Sequence, residues 1–243
     1  MCTVSWRQTR AGYDLFFNRD ELHSRQPEFP PTLQTDEGIT FVAPRDGECG
    51  GTWLLTNEYG VTICLLNDYA NSWRPAPGAT RYSRGHIVLS TAPTNSLDEI
   101  VECVERHPLA WVAPFWLLGI APKAAPLLLH WNGITLVRRQ TPIRPAVLTS
   151  SSFETAEVTA VRLREFCRRV RVPCRPTVSE LAKFHRQHDP SAGAYSVAMH
   201  RSDAATRSFI HVAVNRGRVS LDYQPAHWPS ILTLSRSRRA KTA

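Results

Sequence analysis

The residues most able to do chemistry stand at the start of the chain, in MCTVSWRQTRAGYDLFFNRDE, residues 1–21. Cysteine at position 2 is small enough for the initiator methionine to be clipped, which would leave Cys2 with a thiol and a free α-amino group on one residue. With a thiol pKa of about 8.5 and an α-amino pKa of about 7.7–8.0, the amine can serve as the base for its own nucleophile, a minimal acylation pair. Two further groups belong to the same chemistry. Arg19 would favour a nearby thiolate, and Asp20 could hold Arg19 or accept from the new amine. Asn67, where an apolar run gives way to Asn-Asp, offers a side-chain amide for a developing oxyanion, with the Asp68 amide as a companion, although asparagine there also suits a turn. A plainer alternative remains open, in which Cys2 is a small buried residue at a strand end and Arg19-Asp20-Glu21 a solvated turn.

These groups must be positioned by a hairpin. Cys2, Val4 and Trp6 alternate with Thr3 and Ser5, and Tyr13, Leu15 and Phe17 with Asp14, Phe16 and Asn18, the period of half-buried strands. A turn centred between Arg10 and Ala11 pairs Trp6 with Leu15, Val4 with Phe17 and Cys2 with Arg19. Residues 23–36, with Pro27, Pro30 and Pro31, read as a loop near the site. Short strands are expected over 39–43, 52–55, 61–66, 115–120, 126–131, 134–139, 195–199, 208–214 and 218–223. Gly50-Gly51 allows a close backbone approach, and packing at a sheet crossing accounts for it. Ser96 and Glu99 cap a helix from about Leu97 to Arg106. A second helix is expected from about Thr155 to Arg171, with Leu163, Phe166, Cys167 and Val170 inward and its arginines, Arg162 among them, on a solvated basic face. Thr177 and Glu180 cap a third, ending near Gln187. His185, His188 and Asp189 could suggest zinc, but their spacing better suits solvent-facing groups at a helix end, so no metal and no other cofactor is expected.

Several ordered motifs resemble one family. Cys2, Asn18-Arg19-Asp20-Glu21, Gly50-Gly51-Thr52-Trp53-Leu54, Leu65-Leu66-Asn67-Asp68-Tyr69 and Ser83-Arg84-Gly85 look like the successive motifs of the NRDE family, also called the transport and Golgi organisation protein 2 family. The resemblance implies the N-terminal-nucleophile hydrolase fold, an α+β four-layer αββα sandwich of two antiparallel sheets with helices on both outer faces. It also implies kinship with acylases that cleave linear amides such as penicillin V and conjugated bile acids. In those relatives an asparagine after a similar strand serves the oxyanion, which supports Asn67. Their second polar site residue, commonly asparagine, falls where this chain has Leu148-Thr149-Ser150-Ser151-Ser152, which makes Ser151 a substrate-binding candidate with weaker hydrogen-bonding capacity. Arg207 resembles a late arginine that lies near the nucleophile.

Composition bounds the rest. The 243 residues, 42% hydrophobic and 21% charged, suit a sizeable globular core. They read as one domain over residues 1–234 followed by a basic, unpatterned and disordered tail over 235–243. The net charge of +8 owes four charges to Arg236, Arg238, Arg239 and Lys241, and the body lacks a nucleic-acid-binding pattern. No secretory pattern opens the chain, which predicts a cytoplasmic protein with six reduced cysteines. The most apolar stretch, 109–129, is interrupted by Pro114, Pro122, Lys123 and Pro126 and reads as strands, not a membrane span. Two functions are compatible with this. One is a cofactor-free amidohydrolase acting on a linear amide or related acyl compound through Cys2, Arg19, Asp20 and Asn67. The other is a non-catalytic binding or trafficking protein for an apolar ligand, a lipid or haem, in the same pocket.

Overall fold

Residues 2–22 form the hairpin that their alternation predicts: β1 (Cys2–Thr9) runs antiparallel to β2 (Gly12–Leu22), with Cys2 opposite Arg19, Val4 opposite Phe17 and Trp6 opposite Leu15. The computed structural model describes residues 2–74, 82–139, 146–170, 175–225 and 230–235, the last group as backbone only. Around the hairpin a six-stranded antiparallel sheet adds β10 (Val147–Ser150), β11 (Ala204–Asn215), β12 (Arg218–Pro225) and β13 (Ser230–Ser235), in the order β10-β1-β2-β11-β12-β13. A second antiparallel sheet takes seven strands in sequence order: β3 (Phe29–Asp36), β4 (Ile39–Arg45), β5 (Leu54–Asn57), β6 (Thr62–Asn67), β7 (Phe115–Ile120), β8 (Leu127–Trp131) and β9 (Leu136–Arg139).

Strand alternation assigns each face of the two sheets. Val4, Trp6, Leu15 and Phe17 point between the sheets and meet Leu54, Cys64, Leu66 and Leu118 in the central core. The outer face of the second sheet is covered by α1 (Arg84–Ser90) and α2 (Leu97–Glu105), whose Ile87, Val88, Ile100 and Val104 pack on Leu55, Ile63, Phe115 and Leu117. On the other side α3 (Thr155–Arg169) and α4 (Val178–His185) cover Phe16, Val147 and Phe209 through Phe166, Leu181 and Phe184. The result is the expected αββα sandwich. Both parts of the Thr177–Glu180 capping box are present, and Ser96 caps α2.

Several local expectations are corrected. Residues 29–36 are a strand, not a loop. Pro30 and Pro31 are tolerated because β3 is an edge strand whose pairing with β4 is irregular between Phe29 and Thr32. Residues 195–199 are not a strand: their backbone is spent on Gln187 and Thr206, through Ala198 N–H to Gln187 O at 2.8 Å and Met199 N–H to the Thr206 hydroxyl at 2.9 Å. Ser235 belongs to β13; residues 236–243 of the expected tail lie outside the described residues. The inner face of α3 is Val158, Arg162, Phe166 and Val170, an i, i+4 ridge, whereas Leu163 and Cys167 are exposed. Arg162 is fully buried because the sheet beneath it presents polar partners rather than apolar ones. His185, expected to face solvent, is also buried. Asn18 Nδ2 donates to His185 O and Val197 O, which leaves Asn18 Oδ1 to accept from His185 Nδ1 at 2.8 Å, so Nε2 accepts the Ser5 hydroxyl at 2.8 Å. Among the described residues no helix is long and apolar enough to cross a membrane.

Candidate active site

Cys2 opens a strand that is paired on both sides, opposite Arg19 of β2 and Ser150 of β10. Its N–H donates to Ser150 Oγ at 3.3 Å and its carbonyl accepts from the Thr149 hydroxyl at 3.4 Å. Burial pushes the thiol up to about 11 against the charge of the terminal amine, the largest influence favouring the thiolate; the Asp20 and Glu21 carboxylates push the same way as burial, and Arg19 adds to the amine's side and is outweighed. With a peptide bond at its nitrogen, Cys2 is therefore a protonated thiol near neutral pH.

Arg19 is held by carboxylates other than Asp20. Its guanidinium meets Glu28 at 2.9 Å, Asp46 at 2.9 Å and Glu21 at 3.4 Å, and lies over the Trp53 ring at 4.4 Å. Arg25 shares Asp46 at 2.8 Å and reaches Glu48 at 3.2 Å. Burial opposes ionisation of Asp46, but the Cys49 N–H, Arg25 and Arg19 hold its carboxyl below the ordinary carboxylate range. Asp20 lies one residue on and so faces the helical layer, where it accepts from Thr206 at 2.7 Å and from Arg162 at 3.2 Å.

The thiol borders a cleft of about 220 Å³ lined by Arg19, Glu21, Arg25, Asp46, Cys49, Trp53, Asn67 and Arg84. Asn67 also borders a second, more apolar groove of about 740 Å³, walled by Leu66, Tyr69, Trp116, Leu148, Ala156 and Leu163, with Ser150 at its edge. Asn67 Nδ2 gives one hydrogen to Tyr69 Oη at 2.8 Å, which leaves its second for another acceptor. The Asp68 N–H, expected as a companion donor, is already bonded to Pro114 O at 3.0 Å. The Asp68 side chain instead binds His130 Nε2 at 2.8 Å, and His130 stacks on Trp116. Gly51 and Gly85 form one wall of the cleft together: a Cβ on Gly51 would lie 2.6 Å from the Gly85 carbonyl carbon, so two motifs distant in sequence make one backbone contact.

Of the remaining candidates, Ser151 is fully buried with its hydroxyl donating to Phe153 O and accepting the Phe153 N–H at 3.1 Å, a local turn. Arg207 is the extra residue of a bulge, between Thr206 opposite Asp20 and Ser208 opposite Arg19. The structure thus brings Cys2, Arg19 and Asn67 to one cleft, which Asp20 borders while its carboxylate faces the helical layer. Residues that sequence reasoning missed are Ser150, Glu28, Asp46 and Arg162. Once β10 is paired with β1, register identifies Ser150, and the period of α3 permits Arg162 as readily as Leu163.

Solved structures with the same fold include penicillin V acylase from Agrobacterium tumefaciens, at 11% identity and a TM-score of 0.59 over 96% of this chain and 86% of that one. A mutant of conjugated bile acid hydrolase from Clostridium perfringens aligns at 12% identity and a TM-score of 0.56, over 97% and 92% of the two chains. The N-acylethanolamine-hydrolyzing acid amidase ortholog of Caenorhabditis elegans aligns at 9% identity and a TM-score of 0.59, over 87% and 92%. At these identities the likeness is one of fold, that of the N-terminal-nucleophile hydrolases. Among curated proteins none matches by sequence. The family profile described as Transport and Golgi organisation 2 matches residues 1–203, and this chain therefore belongs to that family.

Proposed function

We propose that the protein is a cofactor-free amidohydrolase whose nucleophile is Cys2 after removal of Met1. The observation that carries this reading is the thiol at the border of the cleft, with Asn67 shared between a charged side and an apolar groove. Freed as an α-amine, the Cys2 nitrogen takes the thiol proton as sulfur attacks the carbonyl of a linear amide or related acyl compound. The free hydrogen of Asn67 Nδ2 meets the oxyanion, the amine returns the proton to the leaving nitrogen, and water then cleaves the thioester. Arg19 biases the sulfur toward the thiolate, and Asp20 sets the charge on its other side. The groove suits the acyl portion of such a substrate and the ionic cleft a polar leaving group. Ser151 and Arg207 have no assigned step in this sequence.

A second reading, an apolar-ligand carrier without turnover, is favoured by the thiol being pushed up to about 11 in the chain with its peptide bond intact. One experiment separates the two. Intact mass should give a mature protein beginning at Cys2, and a thiol-directed acylating probe should label Cys2 faster than Cys49, Cys64, Cys103, Cys167 or Cys174, with the signal lost in Cys2→Ser. Retained methionine together with no preference for Cys2 would overturn the enzyme and leave the carrier.

A further inference from the structure

The turn that follows β6 is pinned by one residue. Asp68 is buried, its N–H donates to Pro114 O at 3.0 Å, and its carboxylate accepts from Ala70 N–H at 2.9 Å, Asn71 Nδ2 at 2.5 Å and His130 Nε2 at 2.8 Å. Such an Asx turn fixes the chain locally, and the bond to His130 fixes it to β8. The two neighbours of Asp68 are held with their side chains together: Asn67 Nδ2 donates to Tyr69 Oη at 2.8 Å. Asn67 borders the cleft that Cys2 lines, and both Asn67 and Tyr69 border the apolar groove. Tyr69 therefore stands on the groove side of an amide that touches both spaces.

Stabilising an oxyanion needs a donor that is already oriented when the charge develops. Of the donors considered from the sequence, the Asp68 N–H is spent on Pro114 O and the Ser151 hydroxyl on Phe153 O, which leaves the second hydrogen of Asn67 Nδ2. A side-chain amide at a strand end turns readily about its last torsion, whose energy profile is broad. The Tyr69 hydroxyl removes that freedom. Once one hydrogen of Nδ2 is tied to Oη, the plane of the amide is set, and the other hydrogen lies in that plane. We propose that Tyr69 is a positioning residue for Asn67: its hydroxyl holds the amide in the orientation that presents the second N–H to the oxyanion, and it acts on the reaction only through Asn67. The inference rests on the amidohydrolase reading. The Tyr69 ring walls the groove with or without its hydroxyl, so the two contributions separate in Tyr69→Phe.

The test compares two reactions of the same thiol in the mature full chain. Release of p-nitrophenolate from p-nitrophenyl butyrate, counted as the part that Cys2→Ser abolishes, passes through an oxyanion. Alkylation of Cys2 by iodoacetamide is a direct displacement at carbon and forms none. Tyr69→Phe should slow the ester reaction about tenfold, a fraction of the roughly 100–1,000-fold that loss of a whole oxyanion donor costs, and leave alkylation unchanged. Asn67→Ala should slow the ester reaction more than Tyr69→Phe does, and the double variant Asn67→Ala/Tyr69→Phe should be no slower than Asn67→Ala alone. A Tyr69→Phe protein as fast as the wild type with the ester, or slowed equally in both reactions, would overturn the proposal, and so would additive losses in the double variant. A wild-type protein that releases no p-nitrophenolate through Cys2 would defeat the hydrolase reading and this inference with it, whereas wild-type release undiminished in Tyr69→Phe defeats this inference alone.

Discussion

Arg19 is the residue at which two opposed demands meet. It faces the thiol across the hairpin, where its charge favours the thiolate, and it is simultaneously neutralised by Glu21, Glu28 and Asp46. Replacing it with leucine leaves those carboxylates beside Cys2 with one cation fewer. The apparent pKa of Cys2 alkylation should then rise by about one unit, so that labelling near pH 8 slows roughly tenfold, with Arg19→Lys between the two. The pairing of Cys2 with Arg19 was legible because two alternating runs around Arg10-Ala11 admit one register that buries both apolar faces. The clasp around Arg19 was not. Glu28 follows a proline in a segment that reads as a loop, and Asp46 sits in a turn, so no period marks either as a site residue. Alternation turns Asp20 into the layer opposite Arg19, but it does not reveal that a cation meets it there from a helix more than a hundred residues on.

At the scale of elements, the cleft depends on how closely α1 starts against the turn before β5. Thr52 N–H donates to Gly85 O at 3.2 Å, and neither Gly51 nor Gly85 has space for a side chain. Gly51→Ala forces backbone against backbone, which should cost about 1–3 kcal/mol. Thermal unfolding should register this as a fall of about 2–4 °C for each kcal/mol, as expected for a chain of this size. A midpoint lowered by less than about 1 °C, half of the smallest fall these figures give, would show that α1 can yield without loss. The helices themselves were legible from their caps: Ser96 and Thr177 each accept the backbone N–H three residues on. The inner face of α3 was misread because Leu163 and Arg162 are one residue apart, and apolar periodicity cannot detect a polar patch waiting on another element. Leu163 is left to wall the groove instead.

For the molecule as a whole, His185 links acid sensitivity to the packing of α4 on the hairpin. Burial, first, and then the Arg162 and His211 charges depress it from 6.5 to about 3, so the folded protein binds fewer protons there than the unfolded chain. The associated stability is complete above about pH 6.5 and drains away as pH falls toward 3, on the order of 5 kcal/mol over the window. Urea unfolding of the wild type should therefore weaken steeply between pH 7 and pH 4. His185→Gln, which does not titrate, should show a shallower slope, and equal slopes would place the acid sensitivity elsewhere. The ion pairs around Arg19 carry a consequence for motion. Glu28 lies just before β3, the edge of its sheet, and Tyr223 of β12 bonds the same carboxylate at 3.2 Å, so this end of the sandwich is tied across both sheets through one side chain. Edges breathe at lower free energy than central strands. An excursion that peeled β3 away would take a carboxylate from the guanidinium and admit water to the cleft, and both changes would favour the thiolate.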